Sequence, residues 1–496
     1  MQGEFRGDFT RDTYSPSKQF LRVFMQQGRV QVDADWNEQV SILLNYVQTL
    51  ATDLIGPYGG PQNNCGFEIF PATADKLDEL FKDGKIAEAE KQELKKQLKN
   101  LSSDEKPNFL IGPGHYYVQG KLCENQNYLL YSDLPCYPFV KGQAALKDGK
   151  YLVYLDVWER HVTDVEDTHE LIPGIREIAL GKVDTTTRSQ LIWQVKVAPI
   201  EKDLIRKNNG VSKLVQGVKT DPAVLKTILK DRTQPGTGHL KARAEKPAGA
   251  DANSPCTISP DSRYRGAENQ LYRVEIHTSG TADTATLKWS RENGSVIFPV
   301  QQVGGTNITL DHLGWDDRFS LKTGDWVELI DDQYELQGRA EPLHQLDSID
   351  PMEMTVKLKS AFAHSVSEQS HPILRRWDQQ ENSTVELKEG TIPVTEGKWI
   401  ELENGVEICF TKNPLPEQPN FYTTGDYWLI PARTATGDVE WLKERQDQES
   451  VPSALPPHGI NHYYAPLWII SVDADKVTVD VDNSDCRCQF PNLCQR

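Results

Sequence analysis

The chain of 496 residues lacks a long apolar segment. Its longest apolar run, Ala465 to Val472, is interrupted by Ser471 and is too short to span a bilayer. The first residues, Met1 to Arg6, contain no apolar stretch of the kind that a secretory signal carries. We therefore expect no signal peptide, no transmembrane segment, and a protein that is cytoplasmic when synthesised.

Positive charge is also scarce: 54 Lys and Arg residues stand against 72 Asp and Glu residues, a net charge of −18. This balance argues against a nucleic-acid backbone or an anionic membrane surface as the partner. Familiar catalytic signatures are missing as well, namely GxSxG, GxxxxGK[ST], HExxH and GxGxxG after a strand. We predict that the chain is not an enzyme, holds no cofactor and binds no nucleic acid.

What the sequence does contain is a strongly patterned helix near its start. Asp35 is the predicted N-cap, with Glu38 three residues later as the capping-box partner, and Gly56-Pro57 ends the helix. Apolar residues recur along it at alternating spacings of four and three, which is typical of a coiled-coil seam: Trp36, Val40, Leu43, Val47, Leu50 and Leu54. Leu44, Ala51 and Ile55 widen one flank. Either the core of this chain or further copies of it must cover the seam.

The remaining pattern predicts a mainly β (α+β) fold, in which a self-associating N-terminal helix precedes β-sandwich or barrel-like domains with a helical insert. The insert is a charged helical hairpin broken at Asp83-Gly84, which is either a surface feature or a docking face for a partner helix. The predicted division is 1–57 arm and oligomerising helix, 58–107 linker with the insert, 108–232 first β-rich domain, 233–262 linker loop, 263–480 second β-rich region and 481–496 cysteine-containing tail.

Two sets of residues are weak candidates for a metal site. His458 and His462 lie in a loop with Pro and Gly, where a spacing of four does not bring two histidines together, so ordinary hydrogen bonds to backbone are the alternative. Cys486, Cys488 and Cys494 lack a fourth zinc ligand, and we expect a free, flexible tail. We therefore predict no metal at these five positions.

The acidic pairs Asp331-Asp332 and Asp347/Asp350 have the chemistry to hold calcium or to flank a glycosidic bond. No calcium-loop spacing is present, so acidic loops between strands are the interpretation that we favour. Two segments mix aromatic and charged residues, 289–294 and 374–378. They suit a carbohydrate site, an intersubunit contact or simple loop-to-loop pairing equally well.

Several segments resemble an uncharacterised bacterial family that is encoded beside phage-tail-like contractile injection systems. The resemblance lies in residues 8–14, 25–39, 268–277, 288–294 and 425–433, and it excludes the insert at 75–106 and the tail after about residue 480. The N-terminal motif is also similar to the start of phage tail-fibre and baseplate-attached proteins. There an Arg-x-x-Gln and an Asn-Glu pair lead into a trimerising helix. Arg29, Gln31, Asn37 and Glu38 match that pattern, although Arg29 and Gln31 are only two residues apart.

The resemblance implies a structural, tail-fibre-like or baseplate-associated component assembled on an injection particle. It implies a homotrimer with Trp36, Val40, Leu43, Val47, Leu50 and Leu54 at the oligomer interface. Docking to neighbouring copies or to a baseplate protein would use Arg29, Gln31, Asp35 and Asn37. The expected partners are further copies of the chain, baseplate or other particle subunits, and a glycan or a membrane-associated protein.

The sequence leaves two other functions open. A tailspike-like carbohydrate-binding or glycan-cleaving protein would expose Trp289, Trp377 or Trp428 beside acidic residues. A metal-dependent intracellular enzyme would use His458 and His462. The seam residues themselves do not distinguish a trimer from a dimer, because Val, Leu and Trp are mixed along it.

Overall fold

A computed structural model describes residues 5–491 except 103–104, 135–145, 168–173, 231–234, 246–261, 315, 363–369, 382–384, 416, 447–448, 474–475 and 481–482. The predicted linker 233–262 lies mostly outside the described residues, and so does Cys494. Strands account for 36% of the chain and helices for 20%, which confirms the prediction of a mainly β fold with some helices. No helix in the described part is long and apolar enough to cross a membrane.

The described residues form seven α-helices, with these bounds: α1 Asp33–Ile55, α2 Ala74–Lys82, α3 Glu88–Asn100, α4 Lys202–Lys207, α5 Val211–Thr220, α6 Pro222–Leu229 and α7 Asp332–Leu336. The strands of the N-terminal half are β1 Tyr58–Pro61, β2 Ile69–Pro71, β3 Phe109–Ile111, β4 Gly114–Val118, β5 Lys121–Asn125, β6 Leu129–Leu130, β7 Gly149–Val162, β8 Arg188–Pro199 and β9 Leu240–Ala244.

The later strands, which are short and separated by turns, are β10 Gln270–Thr278, β11 Thr286–Ser290, β12 Ile297–Gly304, β13 Asn307–Leu310, β14 Trp326–Ile330, β15 His344–Asp350, β16 Thr355–Leu358, β17 Ile373–Trp377, β18 Ile392–Pro393, β19 Ile400–Glu403, β20 Val406–Phe410, β21 Tyr427–Arg433, β22 Asp438–Val439, β23 Lys443–Gln446, β24 Glu449–Pro452, β25 Tyr463–Asp473, β26 Lys476–Val479 and β27 Gln489–Phe490.

The chain divides into two compact units that interleave along the sequence. The first unit comprises 1–42, 160–190 and 235–460, and the second comprises 43–159, 191–234 and 461–496. This division differs from the consecutive domains expected from the sequence. The reason is strand pairing: β25, near the C-terminus, joins β7 in one sheet rather than joining the strands that precede it.

The first unit contains a closed barrel and a five-stranded sheet. The barrel has the strand order β12-β13-β16-β15-β14-β17, and the sheet has the order β18-β11-β10-β21-β22. Trp428 pairs with Val274 across β21 and β10, and Trp289 pairs with the same residue from β11. Side chains of this sheet form one apolar core, while the barrel encloses another that includes Phe298, Leu329 and Leu374.

The second unit is built on two four-stranded sheets, β26-β25-β7-β8 and β27-β1-β4-β5. Its central pairing is antiparallel, with Tyr463 opposite Val157. The short helices α4, α5 and α6 cover the same apolar core, to which α5 contributes Leu214 and Val218.

The charged insert folds as predicted, with α2 and α3 joined by a turn at Asp83-Gly84. Its thin apolar stripe is buried: Leu77, Leu80 and Leu94 pack with Leu110 of β3 and Phe70 of β2. The insert is therefore a cover for the small sheet β2-β3-β6.

The expectation of a free tail is wrong for its described part. Cys486 is fully buried, and β27 pairs in parallel with β1, placing Gly60 opposite Gln489. Arg487 donates to the carbonyl oxygens of Cys65 and Gly66 at 3.1 and 3.0 Å. The tail is thus part of the second unit, because it supplies an edge strand and a buried cation.

Candidate self-association site

Helix α1 ends where the sequence predicts but begins three residues earlier. It starts at Asp33 rather than after an N-cap at Asp35. The carboxylate of Asp33 accepts hydrogen bonds from the backbone N–H of Thr10, at 2.9 Å, and from the Thr10 hydroxyl. Glu38 does not close a capping box; it accepts a hydrogen bond from the Thr13 hydroxyl at 2.7 Å. The carboxylates of Asp33 and Glu38 therefore bind the N-terminal segment.

The apolar seam of α1 is exposed along its whole length. Every seam residue is open to solvent, from Val40 at 39% exposed to Leu54 at 78%. The two buried residues of the helix, Ala34 and Ile42, lie on a different side, since a helix turns once every 3.6 residues. The seam therefore does not seal the core of its own chain.

Two residues that flank the middle of the seam are apolar and exposed as well. Leu44 and Tyr46 each leave more than half of their surface in water. Scattered single apolar side chains are normal on a protein surface, but a continuous patch marks an interaction site. The arrangement of α1 thus fits association with another apolar helix.

A segment without α-helix or strand, residues 8–32, accompanies α1, and we call it the arm. Three contacts attach it to the helix: Thr10 to Asp33, Thr13 to Glu38, and the Val23 N–H to the Gln39 side-chain oxygen at 2.8 Å. Beyond Pro16 nearly every arm residue is exposed. The exposed residues include large apolar side chains, namely Phe20, Leu21, Phe24 and Met25, of which Leu21 is 85% exposed.

The residues just before the arm are fixed in the first unit. Phe5 is buried with Leu271, Tyr427 and Leu429, and it stacks on Phe9 with ring centroids 4.3 Å apart. The backbone is held as well, because Arg273 donates to the Phe5 carbonyl and Asn293 to the Gly7 carbonyl, each at 3.1 Å. The arm therefore leaves from a rigid anchor.

We call residues 5–7 the anchor, and a buried ionic cluster holds them through Arg6. The cluster consists of Arg6, Arg273, Glu275, Lys288, Glu328 and Glu335. Arg6 donates to both oxygens of Glu275, at 3.1 and 3.2 Å, and to Glu335 at 2.9 Å. Lys288 contacts Glu328 at 2.7 Å, and the Trp377 indole donates to the same carboxylate at 2.8 Å. Each charge is thus compensated, which burial requires.

The cluster keeps its carboxylates ionised. Burial alone would raise the pKa of Glu335, but Arg160, Arg6 and Arg375 outweigh it and lower that pKa to about 2. In the same way Arg6, Arg273 and Lys288 overcome burial and hold the pKa of Glu275 well below its usual range. We interpret these pairs as structural, since ion-pair networks that hold a fold together also shift pKa values in this way.

The four expected docking residues lie beside the start of α1 without forming a common site. Arg29 and Gln31 are exposed in the arm, while Asp35 and Asn37 are in the first turns of the helix, where both are partly buried. Arg29 ends a turn, because its N–H donates to the Gln26 carbonyl oxygen. These positions leave Arg29 and Gln31 open to a partner.

The histidine and cysteine candidates have separate structural roles. His458 lies in the first unit and stacks on Tyr427, while His462 lies in the second unit and contacts Asp156 at 2.7 Å. Cys486 is buried and Cys488 is partly buried, both as free thiols. In the part of the chain that the structure describes, no group of three His, Cys, Asp or Glu residues has the geometry to hold a metal ion.

The acidic and aromatic candidates are likewise structural. Asp331 caps α7 by accepting the Tyr334 N–H, and Asp332 pairs with Arg160. Asp350 accepts backbone N–H groups of its own turn. The three tryptophans of the glycan hypothesis, Trp289, Trp377 and Trp428, are at most 3% exposed. They are core residues and offer no stacking surface to a sugar.

One family model matches nearly the whole chain. It is described as a family of unknown function (DUF6519), and it matches residues 5–206 and 201–496. The chain belongs to this family. The matched residues include the anchor, the arm and α1. No curated protein and no solved structure matches the chain.

Sequence reasoning missed the ionic cluster and the importance of Arg6. In β10, charged Arg273 and Glu275 alternate with apolar residues, which usually indicates a strand with one face in water. Both faces are buried here. The usable signal was the presence of further charges in apolar strands, Lys288 in the adjacent β11 and Glu328 in the barrel strand β14, because buried charges occur in compensating groups.

Proposed function

We propose that this chain is a structural, tail-fibre-like or baseplate-associated component of a phage-tail-like contractile injection system, acting as a homotrimer that assembles through α1. Trp36, Val40, Leu43, Val47, Leu50 and Leu54 form the interface between copies. Arg29, Gln31, Asp35 and Asn37 contact neighbouring copies or the docking protein. The protein works by assembly and not by catalysis.

The observation that carries the self-association is the exposed heptad seam. Its residues face away from the buried side of α1, so covering them requires a second apolar surface. A helix with the same repeat provides that surface, because knobs of one seam fit the holes of another. The other helices of the described residues are at most 13 residues long, which is too short to cover the seam of α1. Among the described helices, the one that matches the seam in length is therefore α1 of a second copy.

The context and the number of copies rest on resemblance. Residues 8–14 and 25–39 are similar to segments of proteins encoded with contractile injection systems and of tail-fibre proteins, whose leading helix trimerises. The acidic β-rich units would then present an outer surface to baseplate subunits, a membrane-associated partner or a target envelope.

The test is the solution mass of the purified protein by light scattering, beside a variant with Leu43→Asp and Leu50→Asp. We expect the wild type to have three times the chain mass of 56.1 kDa and the variant to be a folded monomer. The matched control is Asn45→Asp with Thr49→Asp, which adds the same charge to exposed positions of α1 outside the seam. The control should remain a trimer.

Other results have clear meanings. A monomeric wild type would contradict self-association, and a dimer would contradict the trimer. If both double variants dissociate to the same extent, added charge rather than loss of the seam is responsible. Co-purification with baseplate proteins of a contractile injection system then tests the context, and no association of the wild-type trimer with them would contradict it.

A further inference from the structure

The heptad assigns each flank of α1 to a side of the seam. Val40, Val47 and Leu54 take position a, while Trp36, Leu43 and Leu50 take position d. Gln39 and Tyr46 then take position g on one side, and Leu44 and Ala51 take position e on the other. In a parallel coiled coil the g residue of one helix lies beside the e residue five positions later in the next helix.

This geometry pairs specific residues of two copies. Gln39 lies opposite Leu44 of the neighbouring copy, and Tyr46 lies opposite Ala51 of the neighbouring copy. The second pair is complementary in size, because a large exposed ring meets a small side chain. The first pair is polar against apolar, so Gln39 alone would leave Leu44 poorly covered.

The arm occupies the position where this cover is needed. Gln39 uses its side-chain oxygen to hold the Val23 N–H at 2.8 Å, which places the arm on the g side of its own helix. Val23 is partly buried there, while Leu21 and Phe24 beside it are 85% and 69% exposed. The Arg22 guanidinium lies 4.1 Å from the centre of the Phe24 ring. The arm thus carries apolar side chains that its own chain leaves uncovered.

We infer that the arm of each copy packs against the e side of the neighbouring copy, with Leu21 and Phe24 covering Leu44. This inference rests on the proposed self-association and specifies its second layer. The occupant is a second copy of the chain, because the arm surface is continuous with the seam through Gln39. It applies to a parallel trimer and to a parallel dimer alike, since both place g beside e.

Photo-crosslinking tests the contact directly. A benzophenone amino acid replaces Phe24, and the irradiated wild-type-like oligomer is separated on a denaturing gel. We expect a covalent dimer whose crosslinked peptide contains Leu44. The same amino acid at exposed Asn45, outside the seam and its flanks, is the control and should give far less dimer.

A double substitution in the arm tests how much its apolar side chains contribute to the stability of the oligomer. Leu21→Ser with Phe24→Ser removes two large apolar side chains from the contact, so the dissociation constant of the oligomer should rise at least about tenfold. The circular dichroism of the subunit should not change. Gln26→Ser with Gln27→Ser alters the exposed turn of the same arm and should leave the constant unchanged.

The outcomes separate this inference from the proposed function. A monomeric wild type overturns both. An oligomer that crosslinks only within one chain, or that the arm variant does not weaken, overturns the arm contact and keeps the seam. Crosslinks that fragment mass spectrometry assigns to the residue Tyr46 rather than to Leu44 would show antiparallel packing, in which g meets g, and would also overturn the inference.

Discussion

At the scale of single residues, Arg6 makes a central contribution to holding the N-terminus. It neutralises two buried carboxylates, Glu275 and Glu335. Arg6→Met keeps most of the volume and removes the charge, so it leaves these carboxylates with one cation fewer. Removing one partner of a buried ion pair costs about 3–5 kcal/mol. We expect a loss of that size in the free energy of unfolding, measured with urea.

Arg11→Met is the matched control for Arg6→Met. Arg11 pairs with Glu440, but 47% of its side chain is exposed. Exposed pairs contribute about 0–1 kcal/mol. Equal losses for the two variants would show that the buried cluster does not anchor the N-terminus.

Two buried histidines make stability depend on pH. Burial, followed by Arg6 and Arg375, lowers the pKa of His161 to about 3, and burial with Lys288 lowers the pKa of His277 to about 4. In the unfolded chain both titrate near about 6.5. Below that pH the unfolded state binds protons that the folded state does not bind. The free energy of unfolding therefore decreases as the pH is lowered.

The expected size is about 2 kcal/mol for each histidine between pH 7 and pH 5. Glu335 adds a second loss: its contribution is complete above the unfolded pKa of about 4.3 and disappears as the pH falls towards the folded pKa of about 2. Urea unfolding at about pH 7, 5 and 3 checks both losses. His161→Gln with His277→Gln should flatten the profile between about pH 7 and 5, and an unchanged slope would contradict this cause.

The residue scale is also where the sequence was least informative. Seam residues are recognisable because their spacing is a local property of the helix. Arg6 contacts Glu275 and Glu335, which lie 269 and 329 positions away, and no local pattern reports such a contact. Likewise Trp289, Trp377 and Trp428 have the same neighbours in sequence whether they are exposed or buried.

At the scale of elements, the β4–β5 turn supports α1. Gln119 and Gly120 both have positive φ, 48° and 71°, as a two-residue hairpin turn requires. A Cβ at Gly120 would occupy the space of the Gln48 carbonyl oxygen in α1. Gly120→Ala therefore combines backbone strain of about 1–2 kcal/mol with displacement of the helix. We expect a larger total loss of unfolding free energy than strain alone provides.

Gly84→Ala isolates the strain. Gly84 has φ of 69°, and a Cβ there would meet nothing within 4 Å among the described residues. The difference between the two variants in urea unfolding measures the contact with α1. If Gly120→Ala costs no more than Gly84→Ala, the turn does not support the helix.

Of the two ends of α1, the sequence predicted the C-terminal end correctly and the N-terminal end incorrectly. Gly56 follows the helix with φ of 98°, so the predicted stop is correct. The start was wrong because Asp33 and Asp35 are both suitable acids near a helix N-terminus. Contact with Thr10 of the arm distinguishes them, and it is a tertiary interaction.

At the scale of the whole molecule, the interleaving of the two units could not be read from the sequence. The strands were recognisable by their alternation, but β7 and β25 give no local sign that they pair across 306 residues, the separation of Asp156 and His462. Consecutive domains are the default when pairing is unknown. The short C-terminal strand was missed for a similar reason, since two residues carry no periodicity.

The C-terminal segment is held in the second unit by Arg487. Arg487 is buried and pairs with Asp485, and its donation to the carbonyls of Cys65 and Gly66 joins the segment before β27 to the loop after β1. Arg487→Ala leaves both carbonyls without this donor, and each such loss costs about 1–3 kcal/mol. We expect faster amide hydrogen exchange in peptides covering β1 and β25.

Exchange in the barrel strands of the first unit should not change, because their core is separate. Arg206→Ala is the control, since Arg206 pairs with Asp203 within the second unit and 80% of its side chain is exposed. Its exchange pattern should match that of the wild type. Uniformly faster exchange after Arg487→Ala would mean that the chain unfolds as one body, and the two units would then not be independent in stability.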